Sequence, residues 1–298
     1  MDLSVNLAIV LLLSVLIGVS LGVLGGGGSI LTVPILVYVA GMDAKEAIAA
    51  SLFVVGVTSA AGAVSHARGS RVRWRTGLIF GAAGLTGAFG GGLLGGHLPG
   101  DLLLAAFALM MVATSVAMIR GRKTKESARH TDLPVARVLL DGAVVGLVTG
   151  LVGAGGGFLV VPALALLGGL PMAVAVGTSL LVIAMKSLGG LAGYLGSVHL
   201  DWSLVIAVTV AAMVGSVIGG RLAGKIPEVA LRKAFGWFVL VMGGFMLAQQ
   251  TPDGWALPLV GVMAGAGLAA GACWRLVPAC PLRRREPELR GFASPGGG

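Results

Sequence analysis

A glycine-rich run that ends in proline occurs twice in this chain, with the second copy 128 residues after the first. The first copy is LGGGGSILTVP, from Leu24 to Pro34, and the second is VGAGGGFLVVP, from Val152 to Pro162; six of the eleven positions are identical. The same offset, without a gap, aligns further identical residues downstream: Ser51 with Ser179, Ser59 with Ser187, Gly62 with Gly190, Trp74 with Trp202, and Pro99 with Pro227. A shared register of this length predicts a duplicated chain, with halves at about 1–120 and 137–250.

Each half consists almost entirely of apolar segments. Of the 298 residues, 56% are apolar and 11% are charged, whereas a soluble domain carries about 25% charged residues. A membrane-spanning helix needs about 20 apolar residues, so we expect an all-α polytopic membrane protein. The five segments of each half are 4–24, 28–40, 44–65, 76–96 and 102–119, and then 137–153, 157–168, 172–194, 203–221 and 233–248.

Equivalent loops of the two halves carry opposite charge patterns. Loop 66–75 contains four arginines, whereas its counterpart 194–203 contains no lysine or arginine and has Asp201. Conversely, the turn 97–101 has no lysine or arginine, and its counterpart 221–233 has four. Because cytoplasmic loops are enriched in lysine and arginine, the pattern predicts two halves inserted with inverted topology, which is typical of transporters. The alternative is that duplicated loops simply drifted in charge.

The remaining segments complete this topology. The basic linker 121–136 is predicted to be cytoplasmic, 251–274 a last transmembrane helix, and 275–298 a basic, disordered cytoplasmic tail. Counting crossings places the N-terminus in the periplasm and the C-terminus in the cytoplasm of a multi-pass inner-membrane protein. The first apolar run has no preceding lysine or arginine, so we expect a retained helix rather than a signal peptide. The net charge of +9 lies in loops and tail without a nucleic-acid-binding motif, so no nucleic-acid partner is expected.

The second segment of each half is short and follows a glycine run. At 1.5 Å per residue, about 13 residues reach ~20 Å, less than the ~30 Å hydrocarbon core. We therefore expect two broken or re-entrant hairpins whose backbone N–H groups and helix N-termini approach an anion in mid-membrane. The alternative is that these glycines only allow close helix packing. The candidate ligands at the two glycine tips are Gly26, Gly27, Gly28, Ser29, Gly155, Gly156 and Gly157.

The third segments supply polar side chains at equivalent positions. Ser51 and Thr58 lie seven residues apart on one helical face, and Ser179 and Lys186 repeat that spacing. A cation at membrane depth costs at least ~2.5–3.5 kcal/mol and marks a pathway, and an anionic substrate is its natural partner. The alternative is that Lys186 extends to an interface. Thr178 is a further candidate, although buried hydroxyls often bond their own helix.

The residues that carry the repeat resemble a known family. GGGGSILTVP and GAGGGFLVVP are followed by AASL in the first half and GTSLLVI in the second, and then by loops that close before tryptophan, RVRW and HLDW. Over about residues 5–270 these motifs resemble the TauE/SafE family, the sulfite exporter-like membrane proteins. The resemblance implies transport of small sulfur-containing anions such as sulfite, sulfoacetate or related organosulfonates, in either direction.

Three function classes follow from these features. The first is a secondary carrier that moves the anion by alternating access, with neither catalytic residues, metal nor cofactor. The second is an anion channel that uses the same site. The third is an intramembrane enzyme, which would need a nucleophile–base pair or a metal cluster at depth, and no such motif occurs in the sequence. The sequence leaves open whether protons or sodium couple to transport and whether two chains form a homodimer.

Overall fold

The computed structural model describes residues 3–24, 27–120, 135–153, 160, 172–222 and 228–250. Within these ranges every regular element is a helix, and no strand occurs, which confirms the prediction of an all-α fold. In chain order the elements are α1 (Leu3–Leu24), a 3-10 helix (Gly27–Leu31), α2 (Thr32–Tyr38), α3 (Ala44–Arg68), α4 (Trp74–His97), α5 (Gly100–Arg120), α6 (Val135–Val152), α7 (Met172–Tyr194), α8 (Trp202–Leu222) and α9 (Glu228–Gln249).

The helices have the length and surface of a membrane protein. In the described part of the chain, α3, α4, α7 and α8 are each long and apolar enough to cross a bilayer. Large apolar side chains cover their outer faces and those of their neighbours, among them Leu12, Leu140, Val210 and Val241. An apolar exterior of this extent is unstable in water and matches hydrocarbon. The chain is a multi-pass membrane protein.

The duplication is visible in the helix bounds. Helices α3, α4 and α5 begin at residues 44, 74 and 100, and α7, α8 and α9 begin at 172, 202 and 228. Each pair of starts differs by the same 128 residues that separate the glycine runs, and so do the ends of α1 and α6 at 24 and 152. Helices α1, α3, α4 and α5 therefore correspond to α6, α7, α8 and α9.

The two halves interlock through helices without bulky side chains at the contact. Helix α4 packs along α6, and α1 packs along α8, so each half gives one helix to the other. At these contacts a glycine Cα touches the backbone of the partner helix; such small-residue contacts let membrane helices approach closely. The contacts recur at the 128-residue offset: Gly87 with Ala143, Gly91 with Leu147, Gly146 with Gly84 and Gly150 with Ala88, and then Gly215 with Val15, Gly219 with Val19, Gly18 with Ala212 and Gly22 with Ser216.

Helices α3 and α7 cross at the centre of the molecule. A Cβ atom at Gly56 would lie 3.4 Å from Ser187 Cβ, and one at Gly62 would lie 3.2 Å from Leu180. Since the residue numbers rise along α3 as they fall along α7, these two equivalent helices run antiparallel. Their crossing lies close to Thr58 and Lys186, which occupy the same position in the two repeats.

The short second segment of the first half lies inside the protein. Every residue from Ser29 to Leu36 is buried. Its apolar side chains share one core with α1, α3, α5, α7 and α9. The 3-10 helix and α2 together reach ~20 Å, too short to cross the hydrocarbon. Irregular backbone at membrane depth is stable when protein covers it, and the burial of this segment meets that condition.

Two helix bounds differ from the expectation by three residues or more. Helix α9 begins at Glu228, five residues before the predicted 233, and α3 continues to Arg68 instead of ending at 65. The prediction ended segments at charged residues, whereas long charged side chains at helix ends extend to the membrane surface without ending the helix. Apart from Val160, the predicted segment 157–168 lies outside the described residues. So do the predicted segment 251–274, the tail 275–298 and most of the linker 121–136.

Two neighbouring glycines on α4, Gly90 and Gly91, allow the close packing of α4 and α6 to be tested. A methyl group at Gly91 would meet the carbonyl of Leu147, whereas one at Gly90 would meet nothing within 4 Å. We expect Gly91→Ala to destabilise the protein by about 1–3 kcal/mol through overpacking, and Gly90→Ala to leave it unchanged or slightly more stable. Thermal unfolding in detergent measures both variants. Equal midpoints for the two would contradict the interlocked packing of α4 and α6.

Candidate functional site

The C-terminal end of α6 leads into the second glycine run. Its first glycine, Gly153, has φ +77°, a left-handed conformation that glycine adopts without strain. The Gly153 N–H donates to the Thr149 carbonyl at 3.0 Å, which closes the helix in the usual way for a C-terminal glycine. A Cβ atom here would also lie 2.6 Å from Ile48 Cγ2. Both backbone and space therefore require glycine at this position.

Three side chains from other helices bind this end of α6. Lys186 Nζ donates to Thr149 Oγ1 at 3.2 Å, and the Tyr194 hydroxyl donates to the Leu151 carbonyl. From the other half, Ser51 Oγ donates to the Gly153 carbonyl at 3.0 Å. The last carbonyls of a helix lack partners within it, and these contacts satisfy two of them. The result is a polar junction between α3, α6 and α7.

Lys186 is the buried cation of this junction. Its side chain is 1% exposed, so it does not extend to a membrane interface. Its stem crosses α4 at Gly84, where a Cβ atom would lie 2.7 Å from both Cγ and Cδ of the lysine. Its one hydrogen bond in the described part of the chain is the one to Thr149, so no carboxylate described there pairs with it. The negative end of the α6 dipole stabilises the ammonium group only in part.

The other predicted hydroxyls serve the protein's own packing in this conformation. Thr58 Oγ1 donates to the Val54 carbonyl, and Ser179 Oγ donates to the Val176 carbonyl, each within its own helix. Thr178 Oγ1 accepts from the Arg73 N–H at 3.0 Å and so holds the loop between α3 and α4. Thr178 lies eight residues from Lys186, or about 12 Å along α7. Only Ser51 among these hydroxyls joins the junction at the end of α6.

The glycine tips are described for the first half only. Gly27 and Gly28 lie in the 3-10 helix, and Ser29 in the same helix is buried. Gly26 and the second-half candidates Gly155, Gly156 and Gly157 lie outside the described residues. Their part in a ligand site remains a prediction.

Two further hydroxyls lie at the crossing of α3 and α7. Ser59 and Ser187 occupy equivalent repeat positions, directly after Thr58 and Lys186, and both are buried. Neither Oγ atom has a hydrogen-bond partner among the described residues, and Thr32 Oγ1 on α2 likewise has none. Buried polar atoms are nearly always paired, so these three hydroxyls, which have no partner in the described part of the chain, are candidate ligand donors.

Sequence reasoning missed four residues of this region. Thr149 and Tyr194 hold the end of α6, and Ser59 and Ser187 are the unpaired hydroxyls. The identity of Ser59 and Ser187 across the repeat was the available signal for the last two. The position of Thr149 four residues before the first glycine of the second run was a weaker one. Nothing in the sequence pattern indicates the contact of Tyr194.

Comparison with known proteins finds one protein family and relatives that are named as membrane transporters. The family described as Sulfite exporter TauE/SafE matches residues 10–246. The chain is 34% identical over 238 residues to a "Probable membrane transporter protein" of Xylella fastidiosa strain Temecula1, covering 78% of this chain and 91% of that protein. It is 29% identical over 230 residues to "Probable membrane transporter protein YdhB" of Bacillus subtilis strain 168, covering 76% and 94%. No solved structure matches.

Removing the Ser51 hydroxyl tests the hydrogen bond that joins Ser51 of the first half to the Gly153 carbonyl of the second half. Ser51→Ala leaves the buried Gly153 carbonyl without its partner, which we expect to cost about 1–3 kcal/mol of unfolding free energy. Ser14→Ala is the matched control, because Ser14 is equally buried but donates to the Val10 carbonyl of its own helix, and that carbonyl keeps its helical bond. Thermal unfolding in detergent compares the two. A loss no greater for Ser51→Ala than for Ser14→Ala would show that the contact does not join the halves.

Proposed function

Because this chain belongs to the Sulfite exporter TauE/SafE family and is a membrane transporter, we propose that it is a secondary carrier for a small sulfur-containing anion. The substrate class is sulfite, sulfoacetate or a related organosulfonate, and the membrane is the inner membrane. The N-terminus then lies in the periplasm and the C-terminus in the cytoplasm, with the arginine-rich loop between α3 and α4 on the cytoplasmic side.

The observation that carries the proposal is the unpaired charge of Lys186. A buried ammonium has three N–H donors, and the described part of the chain supplies one acceptor, the Thr149 hydroxyl. A buried charge without a counter-charge is costly. An anion beside Lys186 removes that cost, so the site favours a negatively charged solute over a neutral one.

The hydroxyls at the helix crossing support an oxyanion as substrate. Ser59 and Ser187 each offer a donor without a partner in the ranges that the structure describes. The oxygens of sulfite and sulfonate groups are acceptors. Hydrogen bonds to a charged acceptor are about twice as strong as neutral ones. Two hydroxyls related by the repeat suit a group with several equivalent oxygens. We propose that the ammonium of Lys186, the residue next to Ser187 in the sequence, takes part in the same site.

The arrangement of the halves supports alternating access. Equivalent helices α3 and α7 run antiparallel, as two halves inserted with inverted topology require. We propose that they rock against each other at this crossing, which exposes the site to one side and then to the other. The buried 3-10 helix and α2, and their counterpart in the second half, then act as the short central segments. The coupling ion, proton or sodium, stays open.

Replacing Lys186 by an apolar residue of similar length tests the site. We expect Lys186→Met to weaken binding of sulfite and sulfoacetate at least about tenfold, because a hydrogen bond to a charged group contributes roughly 1.5–3 kcal/mol. The variant should unfold at the same temperature as the unmodified protein or higher, since it removes a buried charge. Isothermal titration of purified protein against sulfite, sulfate, sulfoacetate, taurine and short carboxylates measures the binding.

The matched control is Lys45→Met. Lys45 Nζ donates to the Gly96 carbonyl at 2.9 Å near the start of α3, so this variant removes an equal charge away from the crossing. We expect its affinity for the anions to be unchanged. Undiminished affinity in Lys186→Met would remove Lys186 from the site, and the absence of any anion binding to the unmodified protein would overturn the proposed substrate class.

A counterflow measurement in proteoliposomes distinguishes a carrier from a channel. The crossing of α3 and α7 is closed by buried side chains, which favours a carrier that opens to one side at a time. In proteoliposomes loaded with unlabelled sulfite, we expect labelled sulfite to accumulate transiently by counterflow and uptake to saturate. Large unitary currents without counterflow would instead establish a channel.

A further inference from the structure

A groove of about 530 Å³ opens on the surface of the bundle between α3, α4 and α7. Its volume is in the range of small-molecule pockets. Its walls are apolar except at one end, where a guanidinium and an indole lie. The lining residues are Ala60, Ala63, Val64, Ala67, Arg68, Trp74, Leu181 and Ala184.

The groove breaks the symmetry of the repeat. Leu181 and Trp74 line it, and their equivalents in the other half are Phe53 and Trp202. There the two rings meet edge to face with centroids 5.3 Å apart, and so the aromatic ring occupies the space beside the tryptophan. A leucine in place of that phenylalanine leaves the space beside Trp74 open. Three alanines of the groove, Ala60, Ala63 and Ala67, also correspond to larger side chains in the other half, Leu188, Leu191 and Leu195. The groove therefore coincides with smaller side chains at several positions of the repeat.

The two halves also differ in the number of arginines at the end of this groove. Arg68 lies at the end of the groove, and Arg71, Arg73 and Arg75 follow in the loop and the start of α4; all four are exposed. The equivalent positions in the second half are Gly196, His199, Asp201 and Ser203, none of them lysine or arginine. An apolar space and a cluster of cations thus occur together at one end of the molecule and are both missing from its equivalent.

We propose that this groove binds one acidic phospholipid, with an acyl chain along the alanines and the phosphate at Arg68. The groove faces the apolar exterior, where Val64 and Trp74 are 54% and 55% exposed, so its occupant comes from the bilayer. Trp74 lies where tryptophans meet lipid headgroups. Basic pockets between membrane helices bind anionic headgroups, and arginine clusters attract acidic lipids. A soluble anion would use the arginines but not the alanine-lined groove.

Native mass spectrometry of the purified protein tests this with phosphatidylglycerol and phosphatidylcholine added in equal amounts. We expect retention of one phosphatidylglycerol in preference to phosphatidylcholine. Leu181→Phe, which supplies the ring found at Phe53, should abolish the preference by filling the groove. Arg68→Gln should weaken it about fivefold, as expected for one cation near a lipid surface. Arg221→Gln, which removes an exposed arginine at the end of α8, should leave it unchanged.

Two further experiments test whether binding of the lipid depends on both the groove and the arginines, or on charge alone. Phe53→Leu removes the ring beside Trp202, where the adjoining loop has no arginine and leucines stand in place of the groove's alanines, and should create no second phosphatidylglycerol site. Inorganic phosphate at millimolar concentration should not displace the lipid. Equal retention of both lipids, an unchanged preference in Leu181→Phe at an unaltered unfolding midpoint, or displacement by phosphate alone would each overturn the proposal.

Discussion

The close approach of backbones between the two halves is the constraint on which the rest of the structure depends. Hydrocarbon gives apolar side chains no reason to prefer one another over lipid, so membrane helices associate through packing and polar contacts. Glycines on α4 and α6, and again on α1 and α8, bring those backbones together. Because α6 belongs to the second half and α4 to the first, this packing determines where the end of α6 lies. The polar junction of Lys186, Tyr194 and Ser51 is built around that end.

In the polar junction the position of the α6 end is well determined, whereas the charge of Lys186 is only partly compensated. The α6 end is held by hydrogen bonds from two other helices and by the required glycine at Gly153, so its position is well determined. Among the described residues, the charge of Lys186 has only a hydroxyl and a helix dipole to stabilise it. A carrier must bind its substrate and then release it, and a cation that already has partial compensation binds an anion less tightly than a bare one. The Thr149 contact therefore suits reversible binding.

The duplication made much of the fold predictable. Since the repeat keeps its register, the starts of α3 and α7 at Ala44 and Met172 were both predicted correctly, and the cost of burying a cation indicated Lys186. The partners of Lys186 were not predictable. Residue periodicity describes which face of a helix is apolar, whereas the contact with Thr149 depends on how one half inserts a helix into the other. Hydrophobicity likewise could not separate hydroxyls that bond their own helix, such as Thr58, from those that do not, such as Ser59.

Differences between the repeats mark the positions for which we propose a specialised role. Equivalent glycines make equivalent contacts on both sides, as expected of a scaffold that both halves need. The repeat departs from this equality where Thr58 corresponds to Lys186 and where Phe53 corresponds to Leu181. The first difference provides one cation near the crossing instead of two, which limits the repulsion that a symmetric pair of buried lysines would create. The second, together with Ala60, Ala63 and Ala67 in place of leucines, accompanies the groove on the lipid side beside the arginines. In a duplicated transporter, a residue that breaks the symmetry inside a symmetric frame is therefore a candidate for a role that only one half performs, whereas identical residues such as Ser59 and Ser187 are candidates for a role that both halves share.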